Sequence, residues 1–362
     1  MPEHKIKLLV FIPSLECGGS EKYVSLLCNN INTGKFAVTL VVLNNNNPFY
    51  TISNPLITVI NLKVQQVRHS FFKIRRLVKE TQPDIIYTNA NHLNLYFAIF
   101  KNLLAPKITI VARESSIVSI NSKRAKLPVI YNWLIRHFYK RLHCIICQSA
   151  YMQQDLVARY GIKKNKTVII NNAVETVTLI NNQPQKNKFI TVARLSKEKG
   201  IDRLIHAMAN LSVPFKYHII GDGDQKQELL QLIATLKLED KIFWEGEKSA
   251  PFKGMEDASF FLMGSHYEGF PNTLLEAGAN GIPVIAFDAP GGINEIINNK
   301  QNGLLVHNND IKAFAFAIEK AMTINFNRQQ IKEDTERKFS ISRMAKITEE
   351  LLIQFNTDTK GK

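Results

Sequence analysis

Residues 265–288 read SHYEGFPNTLLEAGANGIPVIAFD. A turn, a helix start and a buried strand follow one another there without a break. Pro271 suits the first helical position, where its missing N–H costs nothing, and Thr273, Leu274 and Leu275 then offer backbone N–H groups to an anion. The apolar run Val284 to Ala286 has the length and branching of a strand buried on both faces. Turn, helix and buried strand in this order are the repeating unit of a parallel sheet covered by helices. Glu268 precedes the helix and Glu276 lies on its second turn, so the two carboxylates can address different hydroxyl-bearing parts of one ligand. Alone, two glutamates fit equally a solvated helix with an acid near each end.

The same alternation extends through the chain of 362 residues and 41.2 kDa. Strands are expected at 7–12, 37–43, 57–62, 85–87, 108–112, 144–147 and 167–170, and a second series at 188–192, 217–220, 242–244, 260–263, 284–286 and 304–306, with helices between them. A polar stretch, Asn181 to Asn187, separates the series. The length exceeds what one hydrophobic core usually serves. The expected fold class is α/β, with two doubly wound, Rossmann-like domains joined near residue 180 and facing a central cleft at the carboxyl ends of their strands. The domains are read as 1–178 and 187–339, with the last helix, about 340–358, packing back on the first.

Composition narrows the setting. Cys17, Cys28, Cys144 and Cys147 contain one Cys-x-x-Cys pair, but no second pair completes a zinc site, so buried thiols in a reducing compartment are expected. MPEHKIKLLVFIPS reads directly into a strand, without the long apolar core of a signal peptide. No run is apolar enough to span a bilayer. The net charge of +15 is uneven: residues 1–172 hold 23 Lys and Arg against 7 Asp and Glu, and the remainder is nearly neutral. The excess concentrates in 63–79 and in 123–141. The second cluster sets Arg124, Lys126, Arg136, Lys140 and Arg141 among Tyr131, Trp133 and Phe138. Basic and aromatic side chains together suit an anionic membrane surface, although a solvated helix with one core face carries the same pattern. No nucleic-acid motif accompanies the charge. The expected location is cytoplasmic, peripheral on the inner face of the cytoplasmic membrane.

Three motifs fall at strand ends. Pro13 to Glu21 contains Gly18-Gly19 before an apolar helix, where paired glycines let the backbone approach a phosphate. A third glycine is missing, so this is not a dinucleotide fingerprint. Val192 to Gly200 carries Arg194 and Lys199, a guanidinium and an ammonium able to neutralise a diphosphate leaving group, or else a solvated charged loop. Gly221-Asp222-Gly223 forms the turn after the next strand.

In this order and spacing the motifs resemble glycosyltransferase family 4, the retaining enzymes of GT-B fold that use nucleotide-diphosphate sugars. The resemblance is densest from Ile190 to Val306, through ARLSKEKGID, IIGDGDQKQELL, FWEGE, the opening stretch, GGINEII and NGLLV. GGSE near the start and Asn171-Asn172-Ala173-Val174 extend it. It implies that Arg194 and Lys199 hold the donor diphosphate and that Gly18 and Gly19 close on it from the other domain. Glu276 would bind the ribose and Glu268 the transferred sugar. Backbone groups of Phe270, Pro271, Asn272, Thr273 and Leu274 would complete the site, with Gly221 lining it and Glu247 bordering the base. Arg194, Lys199 and Glu268 are the implied catalytic residues.

The resemblance further implies a hexosyl- or N-acetylhexosaminyl-transferase that needs no metal and no cofactor. The expected donor is a nucleotide sugar, UDP-linked. The expected acceptor is a lipid-linked glycan, as in assembly of O-antigen, capsule or exopolysaccharide. Where many relatives carry a histidine, this chain has Arg113-Glu114. Glu114 is therefore a candidate acceptor or sugar contact, with His92 and His266 as alternatives, and Asn172 is a further candidate. Two other classes stay open: a UDP-sugar epimerase of the same fold, and a non-catalytic glycan- or membrane-binding protein.

Overall fold

The structure is a computed structural model that describes residues 5–178 and 184–360, with side chains to residue 357. The joint expected near residue 180 lies outside the described residues. Seven strands belong to a first sheet: β1 (Ile6–Ile12), β2 (Phe36–Val42), β3 (Thr58–Asn61), β4 (Ile85–Asn89), β5 (Thr109–Arg113), β6 (Cys144–Cys147) and β7 (Thr167–Ile169). Six form a second: β8 (Gln185–Val192), β9 (Lys216–Ile220), β10 (Ile242–Gly246), β11 (Ala258–Met263), β12 (Val284–Asp288) and β13 (Gly303–His307). Each strand read from the sequence is present, the largest difference being the earlier start of β8.

Both sheets are parallel, in the orders β3-β2-β1-β4-β5-β6-β7 and β10-β9-β8-β11-β12-β13. Central strands are buried along almost their whole length, as in β1, where only Lys7 is exposed, because helices cover both faces. In the second sheet the alternation of side chains divides the core. Phe260 and Leu262 join one cluster with Leu204 and Phe314, while Phe261 and Met263 join another with Leu275 and Ile293. In each sheet the chain order reverses once, between β1 and β4 and between β8 and β11. Such reversals open a crevice at the carboxyl ends of the two strands, and ligands of doubly wound sheets bind there.

The chain divides into two compact units, residues 1–173 with 341–362, and residues 174–340. The sequence boundary at 178 is corrected accordingly: Val174 N–H donates to Phe339 O at 2.9 Å and Val177 N–H to Glu336 Oε1 at 3.1 Å, which ties 174–178 to the second unit. The last helix, Ile341–Lys360, buries Met344 and Leu352 in the core of the first unit.

Local signals set the helix ends. Ser149 Oγ accepts from Met152 N–H at 3.2 Å to start helix Ala150–Tyr160, and Gly161, at φ 65°, stops it. The helix in the opening stretch runs Asn272–Ala279, so Pro271 takes the extended cap position, φ −73° and ψ 116°, rather than the first helical one. Cys28, Cys144 and Cys147 are buried thiols, whereas Cys17 is exposed. Among the described residues no helix is long and apolar enough to cross a membrane.

Candidate functional site

The chain reversal between β8 and β11 brings two sequence candidates together. Lys199 leaves the end of β8 and Glu268 follows β11; Lys199 Nζ donates to Glu268 Oε1 at 2.6 Å. Ser265 Oγ donates to the same oxygen at 2.7 Å. Both charged side chains are largely covered, 26% and 11% exposed, so screening by water is reduced. Arg194 is more open, at 70%, with Nη2 on Glu198 Oε1 at 2.7 Å. Burial alone would raise the Glu198 carboxyl, but its own backbone N–H, Ser196 and Arg194 outweigh that and hold it at about 2.

Close backbone packing fixes these loops. Gly291 has φ 127° and forms a bridge with Glu268; a Cβ there would stand 1.5 Å from Glu268 O. Gly200, at φ 54°, leaves no room either, since its Cβ would lie 2.2 Å from Gly264 O. Gly221 approaches Ala193 O in the same way and donates its N–H to Gly246 O at 2.8 Å. Arg203, unnoticed in the sequence, is the buried peg beneath the site. Its guanidinium donates to the carbonyls of Gly264 and Ser265 and, at 2.9 and 2.8 Å, to Asn308 and Asn309, and lies 4.0 Å over the Phe287 ring. Its spacing to Ala207 on the apolar face of helix Ile201–Ala209 was the available signal.

Around the Gly269-Phe270-Pro271 turn, the side chains of Phe270 and Leu274 are core, Phe270 meeting Phe339 at 5.5 Å between ring centroids. Their side chains therefore do not face a ligand. Leu274 N–H already donates to Pro271 O at 3.2 Å, so it does not belong to the open donors of the helix start. Asn272, Thr273 and Glu276 are partly exposed on the helix, and Glu247 is exposed beyond β10. Asp222 and Asp224 have the spacing of a metal-binding Asp-x-Asp. Asp222, however, accepts from Gly223 N–H at 2.7 Å and pairs with Lys226 at 3.1 Å, and no cluster of three or more potential ligands occurs among the described residues.

The reversal in the first unit, between β1 and β4, holds different chemistry. Gly18 has an extended backbone, φ −174°, that any residue adopts. What its missing side chain leaves room for is the Glu21 carboxylate, whose Oε2 would lie 2.3 Å from a Cβ at Gly18. The Glu21 carboxylate thus lies beside Gly18 at the start of helix Gly19–Asn30.

Glu114 and Asn172 are corrected as ligand contacts. Glu114 is 0% exposed; its Oε1 accepts from Asn94 Nδ2 at 2.9 Å and Tyr139 OH at 2.7 Å, and Oε2 has no hydrogen-bond partner. Burial pushes its pKa up to about 7, against the pull of Asn94, Tyr139 and Arg113. Arg113, also 0% exposed, lies 3.6 Å from the Tyr23 ring centroid and donates to Asn89 Oδ1 at 3.0 Å and to Asn172 Oδ1. Asn172 Nδ2 turns to Gln148 Oε1 at 3.2 Å. These residues hold one another inside the unit. His92 and His266 are exposed.

The basic-aromatic segment is amphipathic in an unusual sense. Ile135 and Tyr139 enter the core, but Val129 (81% exposed), Ile130 and Trp133 (54%) face outward from helix Pro128–Phe138. Arg124, Lys126, Arg136, Lys140 and Arg141 are exposed beside them. Arg141 is held by Ile99 O at 3.1 Å and the Phe138 ring at 4.5 Å, which leaves it less able to reach a partner than the others.

Residues 17–177 match the family model described as Glycosyltransferase Family 4, and residues 179–338 the one described as Glycosyl transferases group 1. The chain is 31% identical over 315 residues to the N-acetylgalactosamine-N,N'-diacetylbacillosaminyl-diphospho-undecaprenol 4-alpha-N-acetylgalactosaminyltransferase of Campylobacter jejuni, covering 83% of this chain and 86% of the relative. Among solved structures, the lipopolysaccharide outer core galactosyltransferase WaaB superposes with a TM-score of 0.78 at 21% identity, over 96% of this chain and 99% of that one. Anabaena HepE in complex with UDP-glucose does so at 0.76 and 20% identity, over 96% and 100%. At these identities the two structures speak for the fold alone.

Proposed function

This chain belongs to glycosyltransferase family 4, and from that premise we propose that it transfers a sugar, with retention of configuration, from a UDP-sugar to a lipid-linked glycan at a membrane surface. The observation that carries the proposal is the contact between Lys199 and Glu268 at the chain reversal of the second unit. Two residues that the family resemblance marks for the diphosphate and the transferred sugar lie side by side, on loops that glycines and Arg203 hold in place.

In the proposed reaction Lys199 and Arg194 neutralise the diphosphate as its bond to the anomeric carbon breaks, so that cations of the protein supply the charge a metal would otherwise provide. Lys199 is prepositioned by Glu268, which Ser265 holds in turn, and Arg194 exchanges its surface partner Glu198 for phosphate. Backbone N–H groups at Asn272 and Thr273 add the positive end of the helix. Glu276 takes the ribose hydroxyls and Glu268 a hydroxyl of the sugar. The leaving phosphate accepts the proton of the attacking hydroxyl on the same face, which keeps the configuration without a protein nucleophile. Glu114 is sealed in the other unit and has no part in this step.

Membrane placement rests on the helix Pro128–Phe138. Val129, Ile130 and Trp133 offer apolar and interfacial side chains, while Arg124, Lys126, Arg136 and Lys140 supply attraction to anionic headgroups. The Campylobacter relative's name specifies a diphospho-undecaprenol acceptor, which agrees with a substrate anchored in lipid. The experiment that tests the proposal is incubation of the purified protein with UDP-sugars and lipid-linked glycan. UDP release coupled to lengthening of the glycan supports it; conversion of the donor without acceptor, to an epimer, opposes it.

A further inference from the structure

Four basic groups gather at the amino ends of β5, β6 and β7, on the rim of the first sheet opposite its crevice. Lys101 lies in the last turn of helix Asn91–Leu104, Arg141 ends the turn Tyr139–Arg141, His143 directly precedes β6, and Lys166 directly precedes β7. Backbone carbonyls hold three of them. Lys101 Nζ donates to Arg141 O at 2.9 Å, Lys166 Nζ to Lys140 O at 2.7 Å and Leu142 O at 2.9 Å, and Arg141 Nη1 to Ile99 O at 3.1 Å. A carbonyl satisfies a donor without cancelling its charge. Among the described residues no carboxylate pairs with any of the four, and the cations act on one another. Burial, then Lys166 and Arg141, push the Lys101 ammonium down, and burial and Lys163 push Lys166 down.

The histidine adds a conflict between donors. Ile110 N–H donates to His143 Nδ1 at 2.8 Å, so the neutral ring carries its proton on Nε2. Burial and the charges of Lys101 and Lys166 keep the ring neutral, holding its pKa down at about 4. Its Nε2–H therefore faces Lys101 Nζ, 3.3 Å away, where a proton donor meets an ammonium. Both side chains are partly exposed, so the pair is open to a ligand. An anion beside the pair would accept from both donors and offset the charge of Lys166 and Arg141. A phosphate group answers both needs, with several acceptor oxygens and up to two negative charges. A neutral polyol answers neither the charge nor the surplus of donors.

We propose that this rim binds a phosphate group, whose oxygens accept from Lys101 Nζ and His143 Nε2–H while Lys166 and Arg141 supply further positive charge. The site lies at the opposite ends of the strands from the crevice of its unit, so it is a second site and does not depend on the sugar-transfer reading above. Arg141 contributes from a fixed position, held by Ile99 O and the Phe138 ring. Lys101 is the mobile arm, with protons left over after its bond to Arg141 O. Free phosphate and the headgroup of an anionic lipid share this chemistry. Leu103, 61% exposed and two residues beyond Lys101, stands beside the site for the second.

The test is proton–carbon NMR of the His143 ring, its resonance assigned through His143→Gln, during titration of the full chain with inorganic phosphate and, separately, with soluble dihexanoyl phosphatidylglycerol. A saturable shift of the His143 resonance with either ligand is expected. A shift with inorganic phosphate identifies a free-phosphate site, and a shift with the lipid alone identifies a headgroup site. The Kd should rise about tenfold in Lys101→Gln, the size of one lost hydrogen bond to a charged group. Lys166→Gln should weaken binding by a smaller factor, since it acts through charge alone. Arg75→Gln, which removes an exposed cation of helix Phe71–Thr81 outside the cluster, should leave the Kd unchanged. Melting midpoints of the variants check that each is folded. No shift with either ligand overturns the proposal, as does an equal Kd in wild type and Lys101→Gln, or an Arg75→Gln effect as large as that of Lys101→Gln.

Discussion

Lys199 Nζ and Glu268 Oε1 stand 2.6 Å apart although 69 residues separate them in the chain, joining the two strand ends that flank the reversal of the second sheet. The pair is itself a prediction about order of events. A diphosphate arriving at Lys199 meets an ammonium already aimed and already partly desolvated.

Lys199→Ala is expected to lower kcat/KM for the donor by roughly 100- to 1,000-fold, the usual loss when one preorganised group facing developing negative charge is removed. Arg194→Ala should cost less, since its guanidinium is 70% exposed and must first leave Glu198. Steady-state kinetics on the two variants checks the ranking. Equal losses, or a larger loss at Arg194, contradict it.

Gly291→Ala should destabilise the second unit by at least ~2 kcal/mol, because its φ of 127° is strained for alanine and its Cβ meets Glu268 O. Gly18→Ala should instead act through Glu21, displacing the carboxylate while the extended backbone tolerates the change. Denaturant midpoints of the two variants distinguish them. A Gly291→Ala protein as stable as wild type contradicts the close packing described for Glu268.

The fold was readable because both-face burial writes itself as unbroken Val and Ile runs, and all the strand runs from Lys7 to Val306 formed strands. That Lys199 and Glu268 stand at neighbouring strand ends was readable from the same runs. Other features were hidden for physical reasons. Nothing local tells that Glu114, next to Arg113, is sealed behind Asn94 and Tyr139, because that burial is made by segments 20 and 25 residues away. What Gly18 makes room for was hidden too, since that depends on the side chain filling the space, and here that is Glu21. Pro271 could serve equally as cap or first turn, and only the backbone angles decide.

Glu114→Gln should stabilise the protein at high pH and not at low pH. The folded carboxyl titrates at about 7 against an ordinary 4.5, so the native state holds a proton that the unfolded chain releases between those values. Wild-type stability therefore falls as pH rises through that window, and the glutamine, which keeps the acceptor for Asn94 and Tyr139, does not titrate. The gain at about pH 8 should be on the order of 3 kcal/mol, from about 1.36 kcal/mol per pKa unit, vanishing near or below pH 4.5. Unfolding midpoints at the two ends of the range check it. A difference independent of pH would contradict the account.

Replacing Arg124, Lys126 and Arg136 together by Gln should weaken binding to anionic vesicles about 100-fold, at about 1 kcal/mol for each basic side chain near the surface. Trp133→Ala should weaken it at high salt as well, since its contribution is interfacial rather than screened. Vesicle sedimentation with and without salt reads both effects. Wild-type binding by the triple variant removes this helix as the membrane-facing element.

The most direct measurement of the central claim is proton NMR of the product formed from an α-linked UDP-sugar and lipid-linked glycan, recorded together with the UDP released. The account predicts one UDP per sugar transferred and an α linkage in the product. A β linkage contradicts retention, and transfer without release of UDP contradicts the donor site built around Lys199 and Glu268.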